Sequence, residues 1–246
     1  MNNIQNNLEQ FNFGMPTVDQ PLITPSVQLQ YPADFESSKA IETAFDSFSL
    51  SKIIDLFWTK VFYYVTFFES LDGYSSSGTG TGTIDSSRLL LTTGAVIGNT
   101  WQISKSPAYQ AILNWHKNQR MRTNIQVDSV ANITASVVVG LVGADVHYGF
   151  RVSNATLQGT CGDSAQSTID LKTIVANINY TVEARLVPGD KVVFYVDGVE
   201  SGTLRRNLPV GGTSGNNQQL FEAKITTNAA AAKSLSLSFF EFIQEK

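Results

Sequence analysis

Among its 246 residues the chain has one cysteine, Cys161, and two histidines, His116 and His147. A single thiol excludes an intrachain disulfide, and one thiol with two distant imidazoles argues against a zinc site. Charge is scarce as well: 15% of residues are charged and the net charge is −4, against roughly 25% charged residues in an ordinary soluble domain. No basic stripe exists that would neutralise a run of phosphates, so nucleic acid is set aside as a partner. Long apolar runs are missing too. The longest, Val61–Phe68, falls far short of the roughly 20 residues that span a bilayer, and no membrane insertion is expected. The opening MNNIQNNLEQ lacks the basic and apolar regions of a secretion signal. The sequons at Asn132, Asn154 and Asn179 are therefore read as chance matches in an Asn- and Thr-rich chain.

What the chain does have is alternation. In Tyr180–Leu186, Tyr180, Val182, Ala184 and Leu186 fall on one face and Thr181, Glu183 and Arg185 on the other. That period of two belongs to a sheet with one buried face. Pro188-Gly189-Asp190 and Asp197-Gly198 supply the turn chemistry of tight hairpins, so Tyr180–Leu186 should pair with Val192–Val196. Val182, Leu186, Phe194 and Leu237 are the expected core, although Val193 and Tyr195 offer a rival apolar face. Short strand candidates follow one another from Arg88 onward: Arg88–Leu91, Ala95–Ile97, Trp101–Ser104, Tyr109–Trp115, Arg120–Val127, Ile133–Leu141, Val146–Ser153 and Ala155–Gln158. Ser167–Leu171, Gly202–Leu208, Leu220–Thr226 and Leu235–Ile243 complete the series with the hairpin. In the last of these, Phe239-Phe240 breaks the phase, which predicts a β-bulge or a covered edge.

The first sixty residues read differently. Pro16, Pro21, Pro25 and Pro32 make residues 1–35 an extended arm dotted with apolar side chains. Ala40, Ile41, Ala44, Phe45 and Phe48 have helical spacing and predict a short helical segment over 36–60. Val61–Glu69 reads as a buried strand, and the Gly/Thr run Tyr74–Thr83 as a surface loop. The expected fold is all-β: a two-sheet antiparallel jelly-roll sandwich over 61–246, with the extended arm and the helical segment before it.

Three stretches resemble the concanavalin A-like lectin/glucanase sandwiches, laminin G-like modules included. These are VEARLVPGDKVVFYVDGVESGTLRRNLP, the pair Phe221–Thr227 and Lys233–Gln244, and HYGFRVSNATLQGT. The resemblance implies the concanavalin A-like fold, and such modules occur in lectins, polysaccharide hydrolases, adhesion domains and virion surface proteins. It does not choose among them.

Glucanases of this kind carry closely spaced carboxylates on one strand, one to protonate the leaving oxygen and one to attack or activate water. Glu183 has no partner carboxylate two or five residues away, and Glu241 and Glu245 lie four apart, about 13 Å along a strand. Glu36, Glu42 and Asp46 precede the sandwich. No enzymatic activity is expected. The resemblance also implies Ca2+ as the one candidate cofactor, held by loop oxygens. Among Asp145, Asp163, Asp190 and Asp197, Asp163 is the best candidate ligand, although turn chemistry explains these residues equally well. Saccharide binding needs an aromatic face ringed by planar hydrogen-bonding groups. Trp101, Tyr109, Asn114, Trp115, Arg120, Arg122 and Tyr148 have that chemistry, with core packing as the rival role of the tryptophans.

Two functions compete. One is a non-enzymatic virion surface or structural protein (a capsid, decoration or fibre component) assembled in the host cytoplasm. Its arm would reach a neighbour in a homo-oligomer, a trimer by analogy with similar particle proteins, and its partners would be other virion proteins or surface glycans. The alternative is a free carbohydrate-binding, lectin-like module, located outside the cell.

Overall fold

The computed structural model describes residues 61–105, 113–141, 146–210 and 220–245. The arm (1–35), the segment 36–60 and Tyr109 lie outside the described residues. Phe62–Glu245 form one compact unit. Its strands are β1 (Val61–Phe67), β2 (Ser75–Gly78), β3 (Gly80–Asp85), β4 (Arg88–Thr93), β5 (Thr100–Lys105), β6 (Gln119–Val127), β7 (Ile133–Leu141) and β8 (Val146–Ser153). They continue with β9 (Thr156–Gly162), β10 (Gln166–Thr173), β11 (Tyr180–Val187), β12 (Lys191–Val196), β13 (Val199–Leu204), β14 (Phe221–Thr227), β15 (Ser234–Leu237) and β16 (Phe239–Glu245). The all-β, two-sheet antiparallel sandwich is as expected. The helical part of the expected fold is corrected: every regular element among the described residues is a strand, and the segment on which helical spacing was read, 36–60, is not among them.

One sheet runs β13-β12-β11-β6-β15-β4-β3, with β16 pairing β6 and β1; the other runs β10-β9-β8-β7-β14-β5-β2. The hairpin that dominates the sequence forms with the expected strands as partners, in a register running from Val182 opposite Val196 to Val187 opposite Lys191. Gly189 takes φ 70° in its turn. Asp197 and Gly198 both have positive φ (53° and 80°), the mirror-image turn whose twist matches the flanking strands.

Four expectations about strands need correction. Tyr74–Thr83 is not a loop but the edge strands β2 and β3, one in each sheet. Thr79 is the corner between them: its N–H donates to Thr100 O (2.7 Å) and its carbonyl accepts from Gly94 N–H (2.7 Å). The neighbouring glycines are there because the chain runs so close to both sheets, since a Cβ on Gly78 or Gly80 would stand 2.1 Å from a backbone oxygen. Ala95–Ile97 is the β4–β5 loop, with Val96 and Ile97 exposed. Leu113–Trp115 lies in the turn before β6. Gly202–Leu208 is shifted: β13 starts at Val199 and ends at Leu204.

The C-terminal break is a bulge. Ser236 stands opposite Gln126 and Phe240 opposite Thr123, so four residues advance on one strand against three on the other. β15 and β16 thus share β6 as a partner, one along each half.

Val182, Leu186, Phe194 and Leu237 are all buried. Tyr195 faces the other way, beneath the Arg185 guanidinium at 4.8 Å. The two sheets meet through aromatic pairs: Phe150 on β8 stands edge-on to Phe194 on β12 with centroids 5.6 Å apart, and Phe221 on β14 to Phe240 on β16 at 4.7 Å. Beneath Phe194 lies Gly159, where an added Cβ would meet ring carbons at 2.6 Å.

Candidate functional site

The residues proposed for saccharide binding that the structure describes do not converge. Trp115 and Tyr148 are both buried and stand edge-to-face with centroids 6.2 Å apart. Tyr148 lies on the inward phase of β8, so its ring packs between the sheets, and burial pushes its hydroxyl pKa up. Trp101 faces inward from β5 and packs beneath Gly82. Arg120 and Arg122 lie on the outward face of β6, in the opposite sheet. There Arg120 Nη2 pairs with Glu241 Oε1 at 3.2 Å, and Arg122 stands in the ladder between Glu183 and Glu241. Asn114 is exposed in the turn before β6, its N–H donating to Gln244 Oε1 (2.7 Å) and its Oδ1 accepting from His116 N–H (3.0 Å).

The acidic loops also have local roles. Asp163 stands in the β9–β10 turn, its N–H donating to Ala165 O at 3.2 Å. Asp190 pairs with Arg205, and Asp197 takes Lys172 on one oxygen (2.8 Å) and Thr181 N–H on the other (3.0 Å). Among the described residues no three His, Cys, Asp or Glu side chains cluster as a metal site would require.

Two other constellations carry chemistry. On the outward face of the seven-stranded sheet, His147 Nε2 and Thr160 Oγ1 are 3.2 Å apart, Gln166 Nε2 donates to Thr160 (2.8 Å), and Gln102 Nε2 donates to Glu222 Oε2 (3.2 Å). His147, Thr160 and Glu222 are each 1% exposed.

The second lies open. On the outward face of the other sheet, Asp85, Arg88, Leu90, Gln126, Asp128, Asn177, Ser234 and Ser236 line a shallow depression of about 220 Å³. Its floor follows from strand phase. Leu89 and Leu91 are buried in the core while Leu90 between them points out. Leu90 stands opposite Ser236, and Ser236 opposite Gln126, across three neighbouring strands. One wall is the β10–β11 loop, fixed to the floor by Asn177 N–H on Val127 O (2.8 Å) and by Gln126 Nε2 on Asn177 O (2.9 Å). Asp128 N–H donates to Ser234 O at 3.2 Å and sets the depression's rim. Asp85 and Arg88 close the β3–β4 hairpin as ladder partners. Asp85 Oδ1 nevertheless accepts from Ser86 Oγ (3.0 Å), and Arg88 Nη2 reaches the β10–β11 loop at Asn179 Oδ1 (3.5 Å).

The result is a surface with two carboxylates, a guanidinium, two amides and two hydroxyls around one aliphatic floor. It offers hydrogen-bond acceptors and donors side by side. None of its residues stood out in the sequence. The one local signal was the outward phase of Gln126, Ser234 and Ser236, shared by every solvent-facing strand position.

No family model matches the chain, and no curated protein matches it. Solved structures do. A protein of unknown function from Shewanella oneidensis MR-1 is similar over 81% of this chain and 95% of its own, at 15% identity and TM-score 0.55. A prokaryotic β-1,3-1,4-glucanase (lichenase) from a mouse hindgut metagenome is similar over 73% of this chain and 98% of its own, at 10% identity and TM-score 0.53. The likeness is one of fold. The chain shares the antiparallel sandwich of these two structures. Among the described residues no helix is long and apolar enough to cross a membrane.

Proposed function

We propose that the protein is a non-enzymatic, lectin-like module that binds carbohydrate in the depression on the β4-β15-β6 face. The observation that carries this is the lining: carboxylate and amide oxygens to accept sugar hydroxyls, guanidinium and amide N–H groups to donate, and Leu90 beneath. The depression is smaller than the roughly 300–1,000 Å³ of drug-sized ligand pockets, a size that suits one sugar residue lying on an open face. Closely spaced donors and acceptors are what vicinal hydroxyls require, each hydroxyl being donor and acceptor at once.

The non-enzymatic part is supported by how the carboxylates stand. Glu222 has Ser104 and Val138 as its ladder neighbours, and Glu183 and Glu241 are tied to Arg185 and Arg120. Each of these is held by a local partner, and of the two carboxylates in the depression Asp85 accepts from Ser86 within its own hairpin turn, whereas glycoside cleavage asks for two carboxyl groups aimed at one glycosidic bond. The reading as a particle protein draws on residues 1–35, outside the described residues, whereas the sandwich and its open polar face favour binding.

The test is a glycan array probed with the full-length protein, followed by calorimetry on the hits and product analysis of the incubated glycans. Binding without turnover, lost in Asp128→Ala and Gln126→Ala proteins that melt like the parent, is the expected result. A blank array overturns the binding reading; cleavage of a bound glycan overturns the non-enzymatic one.

A further inference from the structure

Of the groups that line the depression, Arg88 is the one whose charge is left unmatched by the fold. It stands half-buried at the start of β4, opposite Asp85 in the β3–β4 ladder. The two do not pair. Asp85 Oδ1 accepts from Ser86 Oγ within the hairpin turn, and the guanidinium instead gives a long hydrogen bond from Nη2 to Asn179 Oδ1 at 3.5 Å. Among the described residues no carboxylate stands within ion-pair distance of Arg88, and its Nε–H is shut off from solvent without a hydrogen-bond partner. Other arginines of the domain differ: Arg120 holds Glu241, Arg185 holds Glu183 and Arg205 holds Asp190.

A guanidinium in that setting has lost hydration on its inner side without gaining a counter-ion. The carboxylates of the depression stand differently. Asp85 and Asp128 are exposed, so water solvates them and salt screens their repulsion of an incoming anion. Arg88 is therefore the lining group with the most to gain from a ligand's negative charge. The planar fork of a guanidinium matches the two oxygens of a carboxylate, and such charge-assisted hydrogen bonds are roughly twice as strong as neutral ones. A sugar hydroxyl brings neither the charge nor the matching pair of acceptors.

We infer that the preferred ligand is a sugar residue that carries a carboxylate, seated on Arg88 while Gln126, Asp128 and Asn177 take its hydroxyls. This rests on the carbohydrate-binding reading. Two kinds of sugar share that chemistry. Uronic acids carry the carboxylate on the exocyclic carbon, and nonulosonic acids carry it on the anomeric carbon.

A carboxamide keeps the shape of a carboxylate and removes its charge, so matched pairs separate the inference from the reading beneath it. Calorimetry on the full-length protein at neutral pH would compare glucuronate with glucuronamide and galacturonate with galacturonamide. N-acetylneuraminate against its carboxamide forms the third pair. One charge-assisted hydrogen bond corresponds to a preference of about tenfold for the acid. That preference is expected in the uronate pairs or in the neuraminate pair, and the arm that shows it identifies the source of the carboxylate. In Arg88→Gln the ratio should fall to about one, with an unchanged melting profile as the control for folding. Equal affinities within all three pairs, measured on the parent protein alone, overturn the inference while leaving carbohydrate binding intact; so does a preference that survives Arg88→Gln. Failure of every sugar, neutral or acidic, to bind overturns both.

Discussion

Gly159 and Phe194 give the sharpest test of how the two sheets lock together. Phe194 is fully buried and stands edge-on to Phe150, and the ring lies where a side chain on Gly159 would go, with three ring carbons 2.6–2.7 Å from the position of its Cβ. Truncating Phe194 to Ala should cost roughly 3–5 kcal/mol, the usual loss for a fully buried aromatic. Gly159→Ala should cost about 1–3 kcal/mol by overpacking, because the ring is wedged against Phe150 and cannot retreat. In the double variant the new methyl enters space that the ring has left. Its cost should approach that of Phe194→Ala alone, giving a coupling of about 1–3 kcal/mol between the two positions. Urea denaturation followed by circular dichroism gives all four stabilities. Costs that add to within about 0.5 kcal/mol would refute the packing argument, since additivity is the behaviour of sites that do not touch.

The remaining expectations are simpler. Cys161 is fully buried and burial pushes its thiol up to about 11, so native protein at pH 8 should not react with Ellman's reagent until denaturant is added; immediate labelling would contradict this. Because the folded pKa lies above the ordinary thiol value, the stability that Cys161 contributes is complete below about pH 9 and is lost as pH rises through 11. Melts between pH 8 and 11 should therefore fall more steeply for the parent than for Cys161→Ala. Asp197→Ala removes the acceptor of Thr181 N–H at a residue with positive φ and should cost about 1–2 kcal/mol in urea unfolding, with Asp197→Asn retaining most of it. Equal losses for both would mean that the hydrogen bond contributes nothing.

The parts of this fold legible in the sequence were those in which one residue type has one physical reason to be there. Asp197-Gly198 announces a mirror-image turn because both positions need positive φ, and the alternation in Tyr180–Leu186 announces its buried face. The other mirror-image turn was invisible: Ser86 and Ser87 adopt φ 51° and 61°, a conformation that serines accept when flanking strands enforce it but do not prefer. Tyr74–Thr83 misled for a related reason. Glycine and threonine in alternation look like a flexible linker, yet here the glycines make room for close backbone contact where the chain passes from sheet to sheet. Trp115 and Tyr148 had the chemistry of a binding platform and the phase of a core, and burial decided between them. The open depression could not be read at all. Its residues come from β3, β4, β6, β15 and two loops, and no local pattern records that 85, 128, 177 and 236 will meet.

The sharing of β6 by β15 and β16 has a consequence for how the protein comes off the ribosome. β6 is an interior strand, yet one of its long sides stays bare until residues 235–244 have been made, more than a hundred positions later. β4 waits as long for β15. During that interval a nascent chain exposes two apolar strands with unpaired backbone, the condition in which strands add to a neighbour's sheet instead of their own. Synthesis rate and chaperone supply, more than final stability, should then set the yield of correctly folded protein.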